Sequence, residues 1–115
     1  MITNREKPLP KNRRPVSDEG SILCFEHYSK MLEDKSFIAR NHAEIEDGDP
    51  TCEEHLLWMC QHCIPRVRDD GLGMPQEKYS RWLGFVQGCL IMRGYTTVEQ
   101  ERNQTRPWLT KRYKV

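Results

Sequence analysis

Apolar residues recur at intervals of three and four along the middle of the chain, the spacing that lines one face of an α-helix. The first such segment begins near Ser17 and carries Cys24, Tyr28 and Leu32 on one face. A weaker segment from Phe37 to Ile45 ends at the breaker sequence "EDGDP". The pattern therefore predicts one long helix, then a helical turn or two, then a break.

A second main helix is predicted directly after that break. Asp49 before Pro50 is typical of a helix start, and Thr51 with Glu54 fits the spacing of a capping box one register later. The glycines and proline of "RVRDDGLGMP" predict the loop that follows this helix.

Met74 to Arg93 shows the strongest helical pattern in the chain, with Pro75 suited to its first turn. Because apolar residues surround most of this helix, we expect it at the centre of a bundle. Gly84 and Gly88 lie on one face, where their missing side chains would let another helix approach closely.

A short polar helix is predicted after Gly94, with Thr96 and Glu99 at the spacing of a capping box, running to about Gln104 before Pro107 ends it. The sequence thus predicts an all-α bundle of three main helices plus one or two short ones. Residues 1–16 are expected to form a flexible basic arm, 17–104 the bundle domain, and 105–115 a basic and aromatic tail.

Charge is segregated along the 115 residues, although the net charge is only +1. Residues 1–16 and 105–115 each carry a net +4, which leaves −7 for the stretch between them. Basic ends can bind nucleic acid, or they can simply be solvated. The candidate phosphate-binding residues are Arg13, Arg14, Lys111, Arg112 and Lys114.

No apolar run approaches the roughly 18 residues of a membrane span, and the N-terminal stretch lacks the apolar segment of a secretory signal. We therefore expect a cytoplasmic protein that does not associate with membranes. The odd number of cysteines, five, favours reduced thiols over a disulfide framework.

The stretch "TCEEHLLWMCQHC" places three cysteines and two histidines within thirteen residues, which suggests either a metal site or one helix face. On a continuous helix Cys52 and Cys63 lie about 16 Å apart, too far to share one zinc ion. Cys60 and Cys63 with ligands from elsewhere remain an alternative zinc site. Because the cysteines share a stripe with Leu56 and Met59, we expect core packing, with no metal and no cofactor.

His55, Trp58 and His62 form a second ridge on the same helix, at about 300°, 240° and 280° from Cys52. Either this ridge packs between two neighbouring helices, or Trp58 is an exposed anchor for another protein. Trp108, Leu109 and Tyr113 in the tail offer the same choice between folding back onto the bundle and binding a partner.

The strings "HLLWM", "RWLGFVQG" and "EQERNQTRP" resemble small accessory proteins encoded by tailed phages of enteric bacteria, over Cys52 to Pro107. The resemblance implies a host-cytoplasm setting and a role by binding, such as modulating a host or phage enzyme. It carries no catalytic residues.

The function that we predict is therefore a non-enzymatic interaction module that binds another protein, with nucleic-acid binding as the alternative. An enzyme would need a thiol nucleophile at Cys60 or Cys63, but a cysteine on an apolar stripe has a raised pKa. A homodimer is also possible, because the glycine notch on the apolar helix could be filled by a second copy.

Overall fold

The computed structural model describes residues 14–69 and 73–109, with the side chains of 14–18 left undescribed. It contains four α-helices in these ranges: α1, Arg14–Glu33; α2, Glu53–Arg68; α3, Gln76–Met92; and α4, Val98–Leu109. A 3₁₀ turn at His42–Glu44 lies between α1 and α2, and the described residues form no strand. The prediction of an all-α bundle is confirmed.

Consecutive helices run antiparallel. Arg68, the last residue of α2, donates to Glu26 in α1 at 2.9 Å. Gln61, earlier in α2, donates to Glu33, the last residue of α1, at 2.8 Å. Arg93, which follows α3, reaches back to Thr51 before α2. Helix α1 contacts all three other helices, so it occupies the centre of the bundle.

One hydrophobic core fills the space around α1. The fully buried side chains of largest volume are Tyr28, Tyr79, Phe25, Leu32, Leu56, Leu57, Leu90, Val67, Val86, Cys24, Cys60 and Cys63. Cys24, Cys60 and Cys63 therefore pack as small apolar residues, as the stripe on α2 predicted. No helix in the described ranges has both the length and the apolar character needed to cross a bilayer.

A polar network joins three helices inside this core. The Tyr28 hydroxyl in α1 donates to the Glu101 carboxylate in α4 and accepts from the Gln87 side-chain amide in α3 at 2.8 Å. The Thr96 hydroxyl donates to the other Glu101 oxygen at 2.7 Å. Because Glu101 is only 5% exposed, these hydroxyl donors stabilise a carboxylate that burial alone would disfavour.

Two helix boundaries differ from the prediction, and both involve proline. Helix α1 begins at Arg14, three residues before the predicted start at Ser17. The helix tolerates Pro15, because the N–H that proline lacks would have no partner in the first turn. Helix α4 continues through Pro107 to Leu109. The prediction that Pro107 ends the helix was wrong, because packing of the last turn against α1 offsets the lost hydrogen bond.

The cap predictions for α2 and α4 were also wrong by one or more positions. Helix α2 has Cys52 at its N-cap with no side-chain cap bond, while the Asp49 carboxylate accepts from Thr51 in the preceding turn at 2.8 Å. At the start of α4, the Thr97 hydroxyl accepts from the Gln100 N–H at 3.1 Å, so Thr96 is free to bind Glu101. Gly94 does end α3 as predicted, with a φ of +85°.

Helix α3 is peripheral, which corrects the expectation that it is the central helix. Its buried residues, Tyr79, Leu83, Val86 and Leu90, form a single stripe against the core. A Cβ added at Gly84 or Gly88 would meet no atom within 4 Å. The close helix contact instead occurs at Gly20 in α1, where an added Cβ would lie 2.3 Å from the Trp108 carbonyl oxygen.

The same substitution at two glycines should therefore have opposite effects. Gly84→Ala should raise the free energy of unfolding by about 0.5–1 kcal/mol, since alanine favours helix and no atom of the residues that the structure describes lies within 4 Å of the added methyl group. Gly20→Ala should lower it by about 1–3 kcal/mol, because α1 and α4 must move apart. Urea denaturation in dilute solution measures both, and a loss of stability in Gly84→Ala would contradict the open position of that face.

Candidate functional site

Five aromatic rings form a continuous cluster between α2 and α3, and we name it the aromatic–histidine cluster. Trp58 stacks on His55 at 5.4 Å and on His62 at 4.6 Å between ring centroids. Trp82 from α3 closes the cluster, 6.2 Å from Trp58 and 5.7 Å from His62. His42 contacts the His55 ring edge-on at 4.6 Å. The ridge predicted on α2 is thus packed against α3, with Trp58 half-buried.

His55 also fixes the segment that precedes α2. The backbone N–H of His42 donates to His55 Nδ1 at 3.0 Å, so this nitrogen must carry no proton. The His55 ring is buried among the other rings. Its neutral form is therefore built into the fold, with the 3₁₀ turn held against α2.

Both histidines of the α2 ridge are shifted towards the neutral form. Burial lowers the pKa of His55 below its ordinary 6.5, and the neighbouring His42 lowers it further. Burial also lowers the pKa of His62, with the positive charges of Arg66 and Lys78 adding to the effect. Protonation of either ring therefore opposes folding.

A row of charged groups borders the cluster and the start of α2. The Lys78 ammonium lies 5.7 Å from the Trp82 ring centroid, a cation–π distance. The Arg93 guanidinium donates to the Thr51 carbonyl at 2.7 Å and lies 3.4 Å from the Glu53 carboxylate. Burial disfavours the charge on Glu53, but the Tyr95 hydroxyl and Arg93 outweigh it, so the pKa of Glu53 is lowered.

The side of α3 that points away from the core carries two large apolar side chains that no other described residue covers. Phe85 is 41% exposed and Met92 86% exposed, and Gly84, Gly88 and the exposed charged residues Glu77 and Arg81 lie on the same side. We call Gly84, Phe85, Gly88 and Met92 the α3 outer face. Large apolar side chains grouped on one uncovered helix face mark sites of interaction.

Two shallow grooves flank Phe85 on this surface. The first, of about 430 Å³, is lined by Thr51, Gly84, Phe85, Gly88, Cys89, Met92 and Arg93. The second, of about 370 Å³, is lined by Pro50, His55, Met59, Arg81, Trp82 and Phe85. Since His55 and Trp82 line the second groove, the aromatic–histidine cluster and the α3 outer face form one continuous surface.

The predicted partner-binding residues fall into three groups. Trp58, His55 and His62 come together in the aromatic–histidine cluster. Trp108 and Leu109 lie elsewhere, half-buried in the last turn of α4 against the core, as folding back would require. Tyr113 lies outside the described residues, so its predicted role stays a prediction.

The predicted nucleic-acid-binding residues are placed only in part. Arg14 is the first residue of α1, which puts the last three residues of the predicted arm 1–16 inside a helix. Arg13, Lys111, Arg112 and Lys114 lie outside the described residues. Residues 105–109 of the predicted tail are helical.

Phe85 and Met92 were not among the predicted partner-binding residues, because both were counted in the apolar surface of a helix expected at the bundle centre. The signal that could have found them is the completeness of the buried stripe Tyr79, Leu83, Val86 and Leu90, which already supplies one helix face. A second apolar face on the same helix needs a second neighbour, and the described part of the chain does not provide one.

The buried thiols give no support to covalent chemistry. Burial raises the pKa of Cys63 to about 12, and burial with the nearby Cys63 raises the pKa of Cys60 further. Both are therefore neutral thiols near pH 7, and the Cys63 sulfur lies 3.7 Å from the Met74 sulfur. Across the described ranges no three His, Cys, Asp or Glu side chains are grouped as metal ligands.

A polar cleft of about 450 Å³ lies on the other side of the bundle, lined by His27, Met31, Tyr95, Thr96, Gln100, Glu101, Asn103 and Gln104. The Glu101 carboxylate in this cleft is bound by the hydroxyls of Tyr28 and Thr96. We therefore assign the cleft a structural role in holding α4.

Comparison of the chain with protein-family models, with curated proteins and with solved structures found no match.

The neutral histidines predict a loss of stability in mild acid. A histidine whose pKa is lower in the folded than in the unfolded chain stabilises the fold at pH values above the unfolded pKa, here about 6.5. This stabilisation is lost as the pH falls below that unfolded pKa. We expect the unfolding free energy to fall as the pH drops below about 6.5 and to be flat only between about pH 7 and 8, below the range in which the buried thiols ionise in the unfolded chain. The slope is at most about 1.4 kcal/mol per pH unit for each histidine that stays neutral.

The matched variant is His55→Asn, whose side-chain oxygen can accept the same His42 N–H without titrating. Its melting temperature should fall less than that of the wild type between pH 7 and 5. The pKa values of Asp49 and Glu53 are lowered from their ordinary 3.8 and 4.5. Both carboxyls therefore change protonation below the range from pH 7 to 5 that the comparison uses. Parallel curves for the two proteins would refute the role of His55.

Proposed function

We propose that this chain is a non-enzymatic interaction module that binds another polypeptide through the α3 outer face and the adjoining aromatic–histidine cluster. The observation that carries the proposal is the uncovered apolar side of α3, with Phe85 and Met92 exposed between two grooves. Keeping such a surface in water is unfavourable, and covering it is the main source of binding energy in protein association.

The surface has the anatomy of a binding patch. Its apolar centre at Phe85 is bordered by Arg81, and Arg93 lies at the edge of the first groove. Trp82 lines the second groove and is held by stacking on His62, so little side-chain freedom is lost when a partner packs on it. Rigid aromatic and arginine side chains of this kind commonly dominate the energy of protein interfaces.

The partner belongs, in this proposal, to the host or to a phage. This part rests on the resemblance of "HLLWM", "RWLGFVQG" and "EQERNQTRP" to phage accessory proteins, which implies a role in the host cytoplasm. Nucleic-acid binding through the basic ends is the alternative, and it rests on charge segregation alone.

Photo-crosslinking at single positions tests the proposal inside the cell. A benzophenone amino acid replaces Met92 on the α3 outer face, and in a control chain it replaces Ile38, which is 74% exposed but lines neither groove. Irradiation should give a discrete protein adduct from position 92 and none from position 38. Adding Phe85→Asp should remove the adduct, because a carboxylate opposes burial of the patch.

Three results would contradict the proposal. One is no protein adduct from position 92, another is an equal adduct from position 38, and the third is an adduct that Phe85→Asp leaves unchanged. Loss of the adduct on nuclease treatment would move the function to nucleic-acid binding.

A further inference from the structure

The α3 outer face contains both a projection and a recess. Phe85 and Met92 project into solvent, while Gly84 and Gly88 leave a strip of bare backbone with no atom within 4 Å of an added Cβ. Each glycine disfavours the helix relative to alanine. At Gly20 the close contact with Trp108 offsets this cost, but no contact among the described residues offsets it at Gly84 or Gly88.

We propose that the occupant of the α3 outer face is α3 of a second copy of this chain, packed antiparallel with Gly84 of one copy against Gly88 of the other. This inference rests on the proposed function, since it names the partner of the same surface. A two-fold contact requires one patch to be complementary to itself, and a patch with its own projection and recess meets that requirement. Phe85 of each copy then lies beside the glycine strip of the other.

The charges at the two ends of α3 favour the antiparallel direction. Glu77, exposed in the first turn, lies nine residues before the midpoint of Gly84 and Gly88, and Arg93 lies seven residues after it. At 1.5 Å of rise per residue these distances are about 13 Å and about 10 Å. When the glycine strips cross antiparallel, the axial positions of Glu77 in one copy and Arg93 in the other differ by only about 3 Å.

The two-fold axis repeats this pairing, so each dimer gains two opposite-charge contacts around an apolar centre. A parallel pairing would instead place Glu77 beside Glu77 and Arg93 beside Arg93. Arg93 also lines the first groove with its side chain 33% exposed, and it already binds Thr51 and Glu53 of its own chain, so Glu77 of a second copy would add to that network. Opposite charges across an interface set its register and direction.

Sedimentation equilibrium of the purified full chain measures the association, with the monomer fold followed by thermal unfolding in dilute solution. The wild type should show a concentration-dependent mass that approaches twice the monomer at tens of micromolar. Gly88→Gln should raise the dissociation constant at least tenfold, because its side chain fills the recess. It should leave the melting temperature of the monomer the same or higher, since glutamine favours helix and its Cβ meets no described atom within 4 Å.

Four further variants separate the contribution of packing from that of charge. Ile38→Asp, outside both grooves, should leave the dissociation constant unchanged, whereas Phe85→Asp should raise it at least tenfold. Glu77→Gln should weaken the dimer and Glu77→Arg should weaken it more, because an attraction is first removed and then replaced by a repulsion. Equal dimerisation of wild type and Glu77→Arg would overturn the antiparallel arrangement.

The results that would overturn the second copy as the partner differ from those that would overturn the proposed function. A wild-type chain that stays monomeric at hundreds of micromolar, or a Gly88→Gln variant that dimerises as well as the wild type, overturns the second copy as the occupant. If position 92 then still crosslinks to a different protein, the proposed function stands. An adduct of twice the chain mass from position 92 supports the second copy.

Discussion

The Tyr28 hydroxyl is the contact on which the arrangement of the helices depends. It donates to Glu101 of α4 and accepts from Gln87 of α3, so one atom of α1 fixes the position of two other helices. Its pKa is raised by burial and by Glu101, which keeps the hydroxyl protonated and able to donate. Because hydrogen bonds to charged groups inside a core are strong and costly to break, α1 is held at the centre of the bundle.

With α1 at the centre, α3 is peripheral and only one of its faces is covered. The stripe from Tyr79 to Leu90 packs inward, and the stacking of Trp82 on the α2 ridge sets the rotation of α3 about its axis. That rotation places Phe85, Met92 and both glycines on the uncovered side. The candidate site is thus a direct consequence of the core, and the same contacts that stabilise the fold orient the α3 outer face.

The sequence predicted the helices because each is long and periodic, whereas it placed their ends less well. Residues 1–16, which include Pro15, were predicted to form a flexible arm, and Pro107 was predicted to end the last helix. A first-turn proline has no bond to lose, however, and packing of Trp108 offsets the bond lost at Pro107. The cap at Thr97 was assigned to Thr96, because periodicity alone does not show that the Thr96 hydroxyl is used by Glu101.

The candidate site was predicted only in part. His55, Trp58 and His62 share a ridge by spacing, so their association was visible, and Cys60 and Cys63 were correctly expected in the core. The sequence allowed two places for α3, because a helix with two apolar faces could bind a second copy through its glycine notch and is equally typical of a bundle centre. Only the structure shows which helix takes that place.

Methionine oxidation by hydrogen peroxide tests the central claim, that the α3 outer face is open in the single chain and closed by binding. In dilute solution Met92, 86% exposed, should oxidise close to the rate of free methionine, while Met59 and Met74, each 6% exposed, should be strongly protected. At concentrations where the chain is associated, Met92 should become protected and the other two rates should not rise. Protection of Met92 equal to that of Met59 in the dilute chain would contradict the account, because it would place that face of α3 inside the fold.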